Sequence, residues 1–173
     1  MTHYQTANAD ASQVAQISEI EKKAAAIFPP GKIPKQLMEA TVDESELLLA
    51  IVEDRLWVIM EKGNDNPLGF VLLRFFGQII YIAEIDVLPE YGRRGLGAAL
   101  LSQVISHGRD KAFTAIYLTT FATIPWNAPF YAKHGFSTVE DDLLPDPIRK
   151  TIENERKLGF SDRVGMRLVL QPA

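Results

Sequence analysis

Apolar and polar positions alternate most regularly between Gln78 and Val87. Ile79, Tyr81, Ala83, Ile85 and Val87 fall on one face of an extended chain; Ile80, Ile82, Glu84 and Asp86 fall on the other. The pattern predicts a strand with one wholly apolar face and two carboxylates near the end of the opposite face. Pro89 stops the ladder and Gly92 loosens the turn that follows. After Arg93-Arg94-Gly95-Leu96-Gly97-Ala98, the residues Ala99, Leu100, Leu101, Val104 and Ile105 have the spacing of a buried helical stripe.

The other elements are arranged around this unit. Residues 2–7 suggest a short first strand. Asp10 is placed to cap a helix through Phe28, with Val14, Ile17, Ile20, Ala24 and Ile27 inward, and Pro29-Pro30-Gly31 ends it. Ile33–Ala40 reads as a short helix or an irregular loop. Asp43–Glu53 reads as a helix burying Leu47, Leu48 and Ile51. Strands are expected at Arg55–Glu61 and Leu68–Phe76, joined by the turn-rich Lys62–Pro67, which makes an antiparallel meander with the 78–87 strand. Ala115–Thr120 is β-branched and aromatic, and a strand there, reached through a helical crossover, runs parallel to the 78–87 strand. A short helix starts at Asn127, tolerates Pro129 in its first turn and is closed by Gly135. A strand at Ser137–Glu140, a helix at Pro145–Leu158 (Ile148, Ile152 and Leu158 inward) and a strand at Val164–Leu170 paired with Ser137–Glu140 complete the reading. The class is α/β (α+β by some schemes), with a mixed sheet, antiparallel first and parallel at its centre.

Composition narrows the function. At 173 residues, 47% hydrophobic and 23% charged, the chain reads as one soluble domain, residues 1–173. Without cysteine there is no disulfide framework, thiolate nucleophile or zinc–thiolate site, which fits a reducing cytoplasm. No apolar run approaches the roughly 18 residues of a membrane span, and the first residues do not resemble a signal peptide. The net charge of −4 argues against broad nucleic-acid binding. Histidines 3, 107 and 134 lack metal-ligand spacing, so no metal site is expected.

A strand running through a glycine-rich turn into a helix aims several unpaired backbone N–H groups, with the helix dipole behind them, at one point. Arg93 and Arg94 add positive charge at its rim, so a phosphate or pyrophosphate is the expected target. Gly97 is followed by Ala98-Ala99, so the lysine and hydroxyl of a Walker loop are missing. Leu100 stands where a dinucleotide fingerprint needs its third glycine. A turn used only for packing is the remaining alternative from the loop alone. With its carboxylate-bearing strand, Gly95-x-Gly97 resembles the acetyl-CoA loop of the GCN5-related N-acetyltransferases, Gln/Arg-x-x-Gly-x-Gly/Ala, and departs from it at Gly92. Thirty residues after Gly97, Asn127-x-x-x-Tyr131-x-x-x-Gly135-Phe136 resembles that family's second motif, in the family's order.

The resemblance implies a centrally splayed sheet of the acyl-CoA N-acyltransferase type and acetyl-CoA as co-substrate. It implies cofactor contacts from Val87, Leu88, Arg93, Arg94, Gly95, Leu96, Gly97, Ala98 and Asn127. The amide of Val87 or Leu88 would meet the thioester oxygen. Glu84 is the first candidate for the general base, with Asp86 sharing or taking that role, and Tyr131 is the candidate acid for the leaving thiolate. Each has a plainer alternative: an arginine partner for a carboxylate, a packing position for the tyrosine, a helix cap for Asn127. The implied activity is acetyl transfer to a primary amine, small molecule or peptide, by a monomer or homodimer. The absence of cysteine favours direct transfer in a ternary complex over a thioester-linked enzyme intermediate. A non-catalytic acyl-CoA-binding regulatory module is the alternative, and it would have no use for a base and an acid.

Overall fold

In the computed structural model, which describes residues 3–171, seven strands form one mixed sheet in the order β1-β2-β3-β4-β5-β7-β6. They are β1 (Tyr4–Asn8), β2 (Leu56–Glu61), β3 (Pro67–Phe76), β4 (Ile79–Val87), β5 (Ala115–Phe121), β6 (Ser137–Val139) and β7 (Arg163–Val169). The helices are α1 (Val14–Ala25), α2 (Glu44–Val52), α3 (Leu96–Asp110), α4 (Ala128–Lys133) and α5 (Asp146–Lys157). Among the described residues no helix is long and apolar enough to cross a membrane. The chain divides into two compact units, Met1–Gly31 with Lys35–Leu73 and Glu84–Val104, and Lys32–Pro34 with Arg74–Ala83 and Ile105–Ala173.

The first unit holds β1, β2, most of β3, the end of β4 and the start of α3. β2 pairs antiparallel with both β1 and β3. Its core is built from Ile17 and Ile20 of α1, Leu47 of α2, Leu56, Val58 and Ile59 of β2, and Phe70 and Leu72 of β3, all essentially inaccessible. α1 starts later than its sequence suggests, because Asp10 caps a single 3-10 turn (Ala11–Gln13) instead. The Asp10 carboxylate accepts from Ser12 N–H, and the Gln13 side chain accepts from Asp10 N–H. Two inward assignments fail here: Ile27 lies past the end of α1 and is 47% exposed, and Leu48 is 38% exposed. α2 buries Leu47 and Ala50, a narrower stripe than three leucine-class side chains require.

In the second unit, β4 and β5 are parallel, as the crossover requires, with Ile79–Tyr81 opposite Ala115–Tyr117. That pairing covers three residues and stops, although β5 stays paired with β7 along its whole length, Ala115–Phe121. β7 inserts between β5 and β6 and is antiparallel to both. α5 covers one face with Ile148 and Ile152, which pack with Tyr81, Ala115, Tyr117, Val139 and Leu144. Leu158 lies beyond the last turn of α5 and is 44% exposed, contrary to its inward assignment. Gly135 closes α4 at φ +91°, a left-handed conformation that suits glycine.

Candidate active site

In the first unit lie the end of β4 and everything that follows it to the middle of α3. Pro89–Tyr91 makes a 3-10 turn, with Gly92 N–H bonded to the Pro89 carbonyl at 3.0 Å. Arg93 and Gly95 both take left-handed φ values, +58° and +85°. α3 then begins at Leu96, whose side chain is buried and anchors the helix start. The first helical bond recorded at this end runs from Ala99 N–H to the Gly95 carbonyl, 2.9 Å. The amides of Leu96, Gly97 and Ala98 therefore precede the hydrogen-bonded ladder, as the first amides of any helix do. A Cβ built on Gly95 would meet nothing within 4 Å, so the backbone there borders open space. Unbonded amides at a helix start beside open space, with exposed Arg93 and Arg94 next to them, suit an anion. The Arg94 guanidinium rests 4.9 Å from the centre of the Tyr91 ring.

Behind the loop, β3 and β4 approach unusually closely. A Cβ on Gly69 would stand 2.7 Å from the Asp86 carbonyl and 2.9 Å from Val87 Cγ2, so only glycine lets β3 lie this near the carboxylate strand. Leu88 N–H donates to the Leu68 carbonyl at 2.8 Å. The Leu88 amide is therefore committed to the sheet and is not a donor for a thioester oxygen, which corrects that assignment and leaves Val87.

The two carboxylates of β4 differ. Glu84 is engaged by other groups of the protein. The carboxyl of Asp86 is pushed up to about 7, chiefly by burial and then by the negative charge of Glu21 on α1; no hydrogen bond acts to lower it. Glu21 is itself raised by burial, an effect opposed by a 3.0 Å hydrogen bond from Val42 N–H and reinforced by Glu46 of α2. Sequence reasoning did not single out Glu21. The available signal was its position: 17, 20, 21 and 24 make one helical stripe, and a carboxylate sits among its apolar members.

In the second unit lie the end of β5 and α4. Asn127 occupies the residue before α4 without acting as a side-chain cap. Its Nδ2 donates to the Trp126 carbonyl at 3.1 Å, while its own backbone carbonyl accepts from Tyr131 N–H. The helix-cap reading of Asn127 is thereby corrected, and its side-chain oxygen does no capping work. Tyr131 is buried, 7% exposed, with edge contacts to the rings of Phe130 and Phe136 at 5.2 and 5.8 Å.

A fold with a short parallel β4–β5 pairing and a glycine turn into α3 defines a class, and the comparisons name it. The model of the acetyltransferase (GNAT) family matches residues 19–136. The chain belongs to that family. It is 32% identical over 112 residues to the uncharacterized N-acetyltransferase YafP of Escherichia coli K12, a match covering 64% of this chain and 65% of that protein. The fold is that of the ribosomal-protein-S18-alanine N-acetyltransferase of Escherichia coli (TM-score 0.69, 18% identity, 98% of this chain and 96% of that one). It is also that of the PaiA N-acetyltransferase of Thermoplasma acidophilum, solved with coenzyme A (TM-score 0.71, 16% identity, 98% and 99%). N-acetylglutamate synthase of Neisseria gonorrhoeae shares it at TM-score 0.71 and 18% identity, the chain spanning 36% of that larger protein.

Proposed function

We propose that this chain is an acetyl-CoA-dependent N-acetyltransferase that moves an acetyl group to a primary amine by direct transfer in a ternary complex. The observation that carries the reading is the open, amide-lined start of α3 following a strand that ends in the raised carboxyl of Asp86, in a chain of the GNAT family. On this reading residues 1–173 act as one catalytic domain. Acetyl-CoA would bring the activated acetyl group as a thioester. The amides of Leu96, Gly97 and Ala98, with Arg93 and Arg94, would hold its pyrophosphate, and the side-chain oxygen of Asn127 is available to its arm.

The general base is Asp86 rather than Glu84. A carboxyl near 7 is half ionised at neutral pH and accepts a proton far better than an ordinary carboxylate, while Glu84 is otherwise engaged. Asp86 takes the proton that the amine releases as it forms the new C–N bond. Val87 N–H is the candidate donor to the carbonyl oxygen, and the Tyr131 phenol supplies the proton to the departing sulfur. The chain has no cysteine to carry an acyl group between substrates, which supports direct attack.

Thermal denaturation tests the cofactor. Acetyl-CoA and CoA should each raise Tm, because they bind the folded state alone, and ATP and NAD should do far less. Gly97→Asp should abolish the CoA shift while leaving the unliganded Tm within a few degrees, since it sets a carboxylate where the pyrophosphate belongs. A protein stabilised by ATP but indifferent to CoA, or a Gly97→Asp variant that binds CoA normally, defeats the reading.

A further inference from the structure

The two edges of the sheet are finished differently. β6, at one end, spans three residues, Ser137–Val139, and offers little to pair with. β1, at the other, runs five residues, Tyr4–Asn8, alongside β2. The bonds that flank it fix its parity. Lys62 N–H donates to the His3 carbonyl and Ala9 N–H to the Leu56 carbonyl, both at 2.9 Å. Bonded and non-bonded residues alternate along an antiparallel pair, so Gln5 and Ala7 also turn their N–H and C=O groups to β2. Tyr4, Thr6 and Asn8 turn theirs outward, and among the described residues those backbone groups bond to nothing else in the chain. An edge of this kind is ordinarily blunted by a lysine, a proline or a bulge. β1 has none of them: Tyr-Gln-Thr-Ala-Asn carries no charge and no proline, and its register with β2 is unbroken.

We propose that β1 pairs antiparallel with β1 of a second copy, about a two-fold axis at Thr6, so that one sheet continues through both chains. This register sets Tyr4 opposite the partner's Asn8, Thr6 opposite the partner's Thr6 and Asn8 opposite the partner's Tyr4. All are outward-facing residues, so each pair exchanges both of its hydrogen bonds. A shift by two residues in either direction carries one of them past the end of the partner strand. Threonine opposite threonine is a favourable cross-strand pair. The same arrangement lays the end that bears His3 beside the partner's Asp10, an imidazole against a carboxylate, both exposed. A neutral strand neither repels its own copy nor offers a charge that would select a foreign peptide. That self-complementarity names the occupant. β2 and β3 separate β1 from β4, so the pairing stands independently of the acetyl-transfer reading.

Sedimentation equilibrium of the intact protein between about 5 and 500 µM tests this. A pairing of this size should give a dimer with a Kd on the order of 10–100 µM, weaker than an interface of standard size. Thr6→Pro removes an outward N–H and no bond to β2, so it should stay monomeric at every concentration and keep its Tm within a few degrees. Gln5→Pro, one residue away, removes a bond to β2 and should lower Tm, which checks the parity. Thr6→Lys and Thr6→Glu each set like charges face to face at the axis and should be monomeric alone. Mixed in equal amounts they should associate, which decides the register even if the proline variant folds poorly. The proposal is overturned if the wild-type protein is monomeric throughout the range or if Thr6→Pro dimerises as the wild type does. It is also overturned if the lysine and glutamate variants associate no better together than apart.

Discussion

Each unit holds a half-buried carboxylate, and the two are treated in opposite ways. In the second, Glu155 of α5 is fully compensated. Arg163 donates to it twice, from Nε at 2.9 Å and from Nη2 at 3.0 Å, and Thr119 Oγ1 donates at 2.7 Å. The Tyr81 hydroxyl lies 3.0 Å from that same Thr119 oxygen. The Arg163 guanidinium is also flanked by the rings of Phe121 and Phe160, 4.7 and 5.4 Å from their centres. In the first unit the carboxyl of Asp86 is raised by burial and by the negative charge of Glu21, and among the described residues no hydrogen bond opposes either effect. A completed network such as the one at Glu155 holds elements together, here α5 to β5 and β7. The same charge left unanswered costs stability and is informative about function for that reason.

The comparison is broken most decisively at Asp86. Asp86→Asn should slow acetyl transfer about 10²–10⁴-fold, the usual worth of positioned proton transfer. Its effect on stability should have the opposite sign. The folded chain favours protonated Asp86, so between the ordinary carboxylate range and about 7 it holds more protons than the unfolded chain, and stability falls as pH rises. Removing the charge should raise Tm at pH 8, by about 2–4 °C per kcal/mol regained, and change it little at pH 5. Thermal melts of both proteins at the two pH values check this. A variant that keeps full activity, or is less stable at pH 8, removes Asp86 from the chemistry and returns Glu84 to consideration.

Glu155→Gln should do the reverse. It keeps the shape but halves the charge-assisted bonding to Arg163 and leaves a mostly buried guanidinium without its counter-ion. The expected loss is about 2–3 kcal/mol, at every pH between 5 and 8, and is read as a lower denaturation midpoint with an unchanged slope. Activity per folded molecule should hold. If Glu155→Gln instead lost turnover while keeping its stability, the completed network would be functional and the contrast between the units would fail.

How much of this was legible follows from the range of each signal. The strand–turn–helix of β4 and α3, the parallel β5 and the Gly135 cap were readable because each is written within some ten residues by alternation, helical spacing or a glycine. The pairing of β7 with β6 also followed from the order of elements. The exposure of Ile27, Leu48 and Leu158 was not readable: Ile27 and Leu158 lie past the ends of their helices, and Leu48 lies mid-helix beside a buried stripe of only Leu47 and Ala50, where a residue's side is fixed by which neighbour covers it. The Leu88 amide was lost to Leu68, twenty residues away, and alternation says nothing of which amides a sheet consumes. Glu21 and Asp86 are separated by 65 positions, and only the fold brings the charge of one to bear on the other. Gly69 reads as an ordinary strand glycine until the Asp86 carbonyl is seen beside it.

The smallest effect, and the finest test of the contrast, is expected at Arg94. If Asp86 serves as the base and the loop forms a separate positive rim for the cofactor, the two should be independently adjustable. Arg94 is exposed and stacked on Tyr91 at the loop, so its charge acts through water. An exposed charge of this kind contributes on the order of 0–1 kcal/mol, or a few-fold in affinity. Arg94→Ala should therefore weaken CoA binding about two- to fivefold at low ionic strength and almost not at all at 0.5 M salt, where screening is nearly complete beyond about 4 Å. Titration calorimetry at the two salt concentrations reads both numbers. The acceptor KM and the pH dependence of turnover should stay as in the wild-type protein, because neither Asp86 nor Glu21 senses a screened charge at the rim. A loss that persists at high salt would mean that Arg94 bonds the pyrophosphate directly. A shift in the pH profile would mean that the rim and the carboxylates share one field, and that the acceptor and cofactor sites are not electrostatically separate.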